Sequence, residues 1–345
     1  MTFIDETWLN AVALIRKVEA KEVERLQSLL NRFDRKISAA FLDSVRRIAD
    51  QINVAELSKL IAENRIDEAI ALVDAKLIGD GYKPLGNEIA YSMTYSARDT
   101  AEAARDAVVL ARTAFSFNST ETEVVDFIRA YQMDLIRELN ADSLASVKAA
   151  VTEGVAAGRN PLDTARDVKR FIGLTESQTK AVQNFRSALE NGRRDALDRA
   201  LRDKRFDPSV LAAINGETQL SAAQIDKMVA RYQERYLAYR AQNIAKTEAL
   251  RALNGGAHLA WRQMVASNQV DGQAVTRRWH YTHDSKTRFN HRLIPDMNPD
   301  GVGLDQLFQT PDGPLLYPGD PAGAAHAVIN CRCTVLYSVA GDPAE

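Results

Sequence analysis

The feature that most constrains the fold is an abrupt change of character near residue 255. From residue 257 onward lie 7 of the 10 prolines, both cysteines (Cys331 and Cys333) and all five histidines (His258, His280, His283, His291 and His326). Before it run long Ala-, Leu-, Glu- and Arg-rich segments with apolar residues at three- and four-residue intervals, the period of an amphipathic helix. Such a chain is expected to be α+β and predominantly α. A long helical N-terminal region should precede a small C-terminal domain of antiparallel strands joined by long Pro/Gly-rich loops. The expected domains are 1–140, 141–256 and 257–345.

Within the helical part, Trp8, Ala11, Ile15, Val18, Glu22, Leu26, Leu29 and Phe33 keep one face and predict a long packed helix over 7–33. Further helices are expected at 40–53, 55–78, 96–114, 121–139, 142–157, 162–171, 176–191, 193–204 and 221–253. Turns are expected at GDGYKPLGN (79–87), GRNPLD (158–163) and RFDPSV (205–210), where Gly and Pro interrupt the pattern. In AKTEALRALNGG (245–256), Gly255 and Gly256 read as a helix stop. The polar pair Thr247 and Glu248 beside it reads as a tie to the next domain or as a solvated face.

Past the change, the period becomes two. In RRWHYTH (277–283), Trp279, Tyr281 and His283 share one face of a strand, and Arg278, His280 and Thr282 the other. In NCRCTVLY (330–337), Cys331, Cys333, Val335 and Tyr337 alternate with Arg332, Thr334 and Leu336. The Pro-, Gly- and Asp-rich segment between them denies a regular ladder its backbone donors and reads as an organised loop region.

Two chemistries can be written for the residues gathered here. Thiolate and imidazole are ligands that zinc prefers, and His291, His326, Cys331 and Cys333 make a four-ligand set. Alternatively, Cys331 or Cys333 acts as nucleophile with His291 or His326 as base and Asp284 as the orienting carboxylate. Against both stands plain packing, since a free cysteine buries well as a small hydrophobe. No nucleophile elbow or Gly-rich phosphate loop is present.

Composition sets further bounds. With 44 Lys+Arg against 46 Asp+Glu the net charge is −2, which gives no global attraction to nucleic acid or an anionic membrane. The run RRDALDRALRDKR (193–205) carries six basic and three acidic residues, a local +3 that could touch phosphate; the bland reading is a solvated face with internal pairs such as Asp195 with Arg199. No apolar stretch approaches the roughly 18 residues needed to span a bilayer, and Asp5 and Glu6 stand where a secretory signal needs basic residues. Residence in the cytoplasm, without a membrane partner, is the expectation.

Taken in order, IAKTEALRALNGG, RRWHYTHDSKTRFNHRLI and YPGDPAGAAHAVINCRCTVLY resemble the bacteriophage head-morphogenesis family, the Mu F-like minor head proteins. The likeness spans roughly residues 140–338. Carried over position by position, the family's recurrent residues fall on Thr247, Glu248, Trp279, Asp284, Thr287, Arg288, His291, Pro318, Asn330, Cys331 and Cys333. Some relatives carry a Cys pair where this chain has Arg288 and His291. The resemblance implies a minor structural protein of a tailed-phage head, located in the virion near the portal and in the host cytoplasm during assembly. It implies the portal protein, other head proteins or copies of itself as partners, and a part in DNA packaging or ejection. On this reading the chain is not an enzyme and needs no cofactor, zinc at the His/Cys set being the exception.

Overall fold

The computed structural model describes residues 6–78, 81–106 and 115–340, with side chains from residue 19 onward at the N-terminal end. Nine helices come first among the described residues: α1 (Glu6–Asp50), α2 (Val54–Ala62), α3 (Ile66–Ile78), α4 (Lys83–Asp106), α5 (Thr122–Ala156), α6 (Pro161–Phe171), α7 (Glu176–Glu190), α8 (Asp207–Ile214) and α9 (Ala222–Ala266). There follow β1 (Val275–His280), α10 (Phe289–Met297), β2 (Val302–Gly303), α11 (Ala325–Val328) and β3 (Thr334–Val339). The strands form one antiparallel sheet in the order β2-β1-β3, with Trp279 opposite Val335 and His280 opposite Thr334. A mostly helical N-terminal region followed by a small antiparallel sheet is thus the architecture.

The helices are fewer and longer than the periodicity predicts, and each difference has a local cause. The expected helices 7–33 and 40–53 run together as α1, because nothing between them breaks a helix and Phe33, Ile37, Phe41, Val45 and Ile48 continue one buried stripe. The side chains of Trp8, Ala11, Ile15 and Val18 lie outside the described residues. The segment 55–78 divides at Asn64, whose φ of 56° no helix tolerates. Asn53 starts α2 by accepting hydrogen bonds from the Ala55 and Glu56 backbone N–H groups at 3.1 and 3.2 Å. The helices at 121–139 and 142–157 merge as α5. Pro84 and Pro208, taken as turn and stop residues, stand in the first turns of α4 and α8, where a missing N–H costs nothing. Residues 193–204 form no α-helix, only short 3-10 turns at Arg194–Asp198 and Lys204–Phe206. The end of the expected helix 96–114 and the start of the turn at 79–87 lie outside the described residues.

The largest correction concerns Gly255-Gly256, which lies inside α9. There the glycines permit contact rather than termination. A Cβ on Gly256 would run into the Met93 carbonyl oxygen and lie 2.8 Å from the Ser96 Cβ and 3.1 Å from the Ala97 nitrogen, all on α4. Ser96 Oγ donates to the Leu253 carbonyl at 2.7 Å across the same crossing.

The chain divides into two compact units, a different partition from the three consecutive domains expected. One comprises Met1–Ser38, Asn87–Gln132 and Asn243–Glu345, the other Ala39–Gly86 and Met133–Gln242. The first unit packs Met93, Ala97 and Ala101 with Ala252, Ala260 and Met264 and with Val275, Leu304 and Val339 of the sheet region; Trp261 stacks on Tyr337 at 5.3 Å. Arg277, the middle of β1, is wholly buried. Its guanidinium donates to the carbonyls of Gly303 at 3.0 Å, Leu316 at 2.5 Å and Gln306, and it lies 5.2 Å over the Phe308 ring. Backbone oxygens hold that charge and stitch the Pro/Gly-rich segment to the sheet. In the second unit Tyr82 stacks on Phe41, and its hydroxyl is 2.9 Å from Ser143 Oγ. No helix among the described residues is long and apolar enough to cross a membrane.

Candidate metal centre

Two chain segments meet beneath the sheet. The first is the stretch after β1. Asp284 builds its turn by accepting from the backbone N–H of Lys286 at 2.9 Å and of Thr287 at 3.1 Å. Arg332 grips the same carboxylate through two bonds of 2.6 Å, and that guanidinium, helped by the N–H groups, holds the Asp284 carboxyl well below the usual range. Thr287 Oγ1 donates to the Thr282 carbonyl. Arg288, the residue before α10, donates to the Ile329 carbonyl. The turn and the first turn of α10 together deliver His291 inward.

The second segment runs from α11 into β3, and α9 pins it. Thr247 Oγ1 donates to the Asn243 carbonyl at 2.9 Å and accepts from the Asn330 backbone N–H at 3.1 Å, while Asn330 Nδ2 donates to Asn243 Oδ1 at 3.1 Å. Asn330 sits at φ 55°, a left-handed conformation asparagine tolerates better than most residues, and this bend turns the next residues into the interior. One helical turn past Arg251, Asn254 Nδ2 donates to the Pro318 carbonyl at 2.8 Å and reaches the Cys333 carbonyl at 3.5 Å.

These braces bring His291, Cys331 and Cys333 together, each no more than 3% exposed. The two Sγ atoms each lie 3.4 Å from His291 Nδ1, and all three donor atoms fall within 4.8 Å of one another. Bond lengths of about 2.3 Å for sulfur and about 2.0 Å for nitrogen at tetrahedral angles put a nitrogen and a sulfur roughly 3.5 Å apart, so each imidazole-to-thiol separation already has the spacing of zinc ligands. Trp279 stands edge-on to His291 with ring centres 5.9 Å apart, and its indole N–H lies on the Cys333 side. The Cys333 side chain and then His291, with the Cys333 backbone N–H that donates to Cys331 Sγ at 3.4 Å, hold the Cys331 pKa well below the ordinary thiol value against the opposing effect of burial. The Cys331 side chain, together with burial, pushes Cys333 up. A buried thiol with a lowered pKa beside an imidazole is suited to ligating a soft or borderline cation or to attacking an electrophile.

His326 is not part of this group. Its side chain is 71% exposed, with Nε2 3.4 Å from Asp312, and the four-ligand set read from the sequence contracts to three. Glu248 is likewise no solvated face. It is buried, accepts from the Tyr131 hydroxyl and pairs with Arg251 at 2.9 Å, and burial pushes its pKa up to about 7. Arg251 in turn donates to the Gly319 carbonyl at 3.1 Å, so the Thr247–Glu248 stretch does tie α9 to the C-terminal segments. Tyr131, Asn243, Arg251, Asn254 and Arg277 escaped the sequence reading, having no local pattern to distinguish them. The basic run at 193–205 is mostly spent internally. Arg193 and Arg199 pair with Asp195, Arg202 with Asp207, and Asp203 collects Arg205, Arg231 and Arg235.

The chain matches no known family model, no curated protein and no solved structure. One expectation is corrected by the geometry. A chain without an enzymatic centre was expected, yet His291, Cys331 and Cys333 form a buried group able to coordinate a metal ion, which equips the protein with a candidate catalytic site.

Proposed function

We propose that the protein is a zinc- or thiol-dependent enzyme centred on His291, Cys331 and Cys333. The observation that carries this reading is the convergence of one imidazole and two thiols from separate segments within 4.8 Å. Bound there, zinc would supply Lewis acidity, polarising an oxygen of a substrate or lowering the pKa of a water. The chain's own contribution is positional. Asp284 and Arg332 fix the turn before α10, Thr247 fixes Asn330, and the Trp279 ring stands edge-on against His291. Three protein donors leave the remaining tetrahedral position to water or substrate.

The test is elemental analysis of the purified full chain together with alkylation of the native thiols. One zinc per chain, lost in Cys331→Ser and in His291→Ala and retained in His326→Ala, is the expected result. No bound zinc, together with thiols inert to alkylation in the native state, would remove the reading.

A second reading sets this centre within a minor head protein of a tailed phage. It is favoured by the way the residues that carry the sequence resemblance hydrogen-bond around the buried centre: Thr247 with Asn330, Asp284 with Thr287, and Arg288 with the Ile329 carbonyl. On this reading the portal protein, other head proteins or further copies are the partners, the virion is the location, and packaged DNA meets the 193–205 region. Co-purification with a cognate portal tests it, and absence from purified particles that are fully infectious would end it.

A further inference from the structure

A groove of about 760 Å³ lies on the opposite side of the segment that carries the cysteines, lined by Arg332 and Thr334 while Cys331 and Cys333 face inward. One wall is α1, with Glu19, Val23 and Glu24. The other is the end of β1, with His280 and His283. Strand alternation assigns these two histidines to opposite faces. The strand ends at His280, however, and the chain bends so that His283 returns to the same side. The two rings stand nearly perpendicular, at 71°, with centres 5.8 Å apart, and Tyr281 flanks His283 at 4.2 Å.

That separation has a chemical meaning. Two imidazoles bound to one tetrahedral ion through bonds of about 2.0–2.1 Å have ring centres roughly 5 Å apart, so a small side-chain adjustment makes the pair bidentate. Burial, then the neighbouring His283, lowers the His280 pKa. The Glu19 carboxylate acts on His280 in the opposite sense from across the groove. Among the described residues neither Glu19 nor Glu24 has an ion pair, while Arg332 is committed to Asp284. The groove therefore sets two imidazoles opposite carboxylates of α1, a donor set of nitrogen and oxygen rather than sulfur.

We propose that this groove binds a divalent transition-metal ion through His280, His283 and the Glu19 carboxylate, as a second centre separate from the buried thiol group. Nitrogen and oxygen donors suit zinc, cobalt, nickel or copper. Glu19 is an exposed helix residue whose long side chain swings in to close the site, which is why its carboxylate is not already within ligand spacing. The remaining coordination positions face the groove and are open to solvent or to a small ligand.

The experiment is titration of the reduced, metal-stripped full chain with cobalt(II) chloride, followed by calorimetry and absorption spectroscopy. Cobalt on thiolate gives a strong sulfur-to-metal charge-transfer band, and cobalt on imidazole and carboxylate does not, so the two centres are read separately. One equivalent without the thiolate band is expected, persisting in the Cys331→Ser/Cys333→Ser double variant. It should bind at least tenfold more weakly in His283→Ala, whose exposed side chain can be removed without disturbing the core, and severalfold more weakly in Glu19→Gln. Absence of that equivalent in the wild-type chain, or its persistence at unchanged affinity in either the His283 or the Glu19 variant, overturns the proposal. Loss of the thiolate band alone would bear only on the buried centre.

Discussion

Two adjacent glycines in α9 should respond to alanine with opposite signs. In a helix interior Gly→Ala ordinarily stabilises by about 1 kcal/mol, because alanine loses less backbone freedom on folding. At Gly255 the added methyl meets only Tyr317 Oη at 3.4 Å and the Met93 Cε at 3.5 Å, near ordinary contact with side-chain atoms that can shift. Gly255→Ala should therefore be neutral or stabilising by up to ~1 kcal/mol. At Gly256 the methyl meets backbone, the Met93 carbonyl and the Ala97 nitrogen at 3.1 Å, besides the Ser96 Cβ at 2.8 Å. Two helices must separate to admit it. Overpacking costs about 1–3 kcal/mol, and with rigid backbone on the far side the upper end applies. After the helical gain is subtracted, Gly256→Ala should lose about 2 kcal/mol, and the two neighbours should differ by roughly 2–3 kcal/mol. Trp261 and Trp279 lie in the same unit as this crossing, so urea unfolding followed by tryptophan emission reads it directly. If Gly256→Ala proves as stable as Gly255→Ala, the close approach of α9 to α4 is wrong.

Other expectations are as specific. Glu248 has a folded pKa of about 7 against 4.5 unfolded, so its contribution to stability is complete below pH 4.5 and is lost as the pH rises through 7. Unfolding free energy measured across that window should therefore carry a downward slope of at most ~1.4 kcal/mol per pH unit from this group, and Glu248→Gln should flatten it. Arg277→Met should cost about 3 kcal/mol or more, since the three carbonyls that its guanidinium satisfies are left without their donor in the interior; a loss under ~1 kcal/mol in chemical denaturation would contradict that arrangement. If zinc occupies the buried centre, a chelator should lower the melting temperature of the wild-type chain and leave Cys331→Ser unaffected.

Much of the architecture was legible because it rests on period. The switch from three- and four-residue spacing to alternation separates the helical body from the sheet, but the alternation in 277–283 holds only to the end of β1: it puts Trp279 and His283 on one face, whereas Trp279 is buried and His283 lines the groove with His280. What could not be read depends on partners distant in sequence. Gly255-Gly256 carries the local signature of a helix end, and only the backbone of α4 makes it a crossing point. The run 193–205 has helical composition, but Asp203 draws Arg231 and Arg235 from α9, and those long-range pairs accompany short 3-10 turns in place of a helix. His291, Cys331 and Cys333 were candidates from donor chemistry alone. Separating them from His326 required knowing which face each segment buries, and the bend at Asn330 that decides this is a single backbone angle.

The donors of the buried centre come from positions 40 and 42 residues apart in the chain. An ion joining them would fasten a ring of some forty residues, the most proline- and glycine-rich part of the molecule. By the chain-entropy relation for cross-links, closing a ring of that size restricts the unfolded ensemble by about 4 kcal/mol. Metal would then act on this region as a buckle, making its opening, and its exposure to proteases, respond to zinc supply.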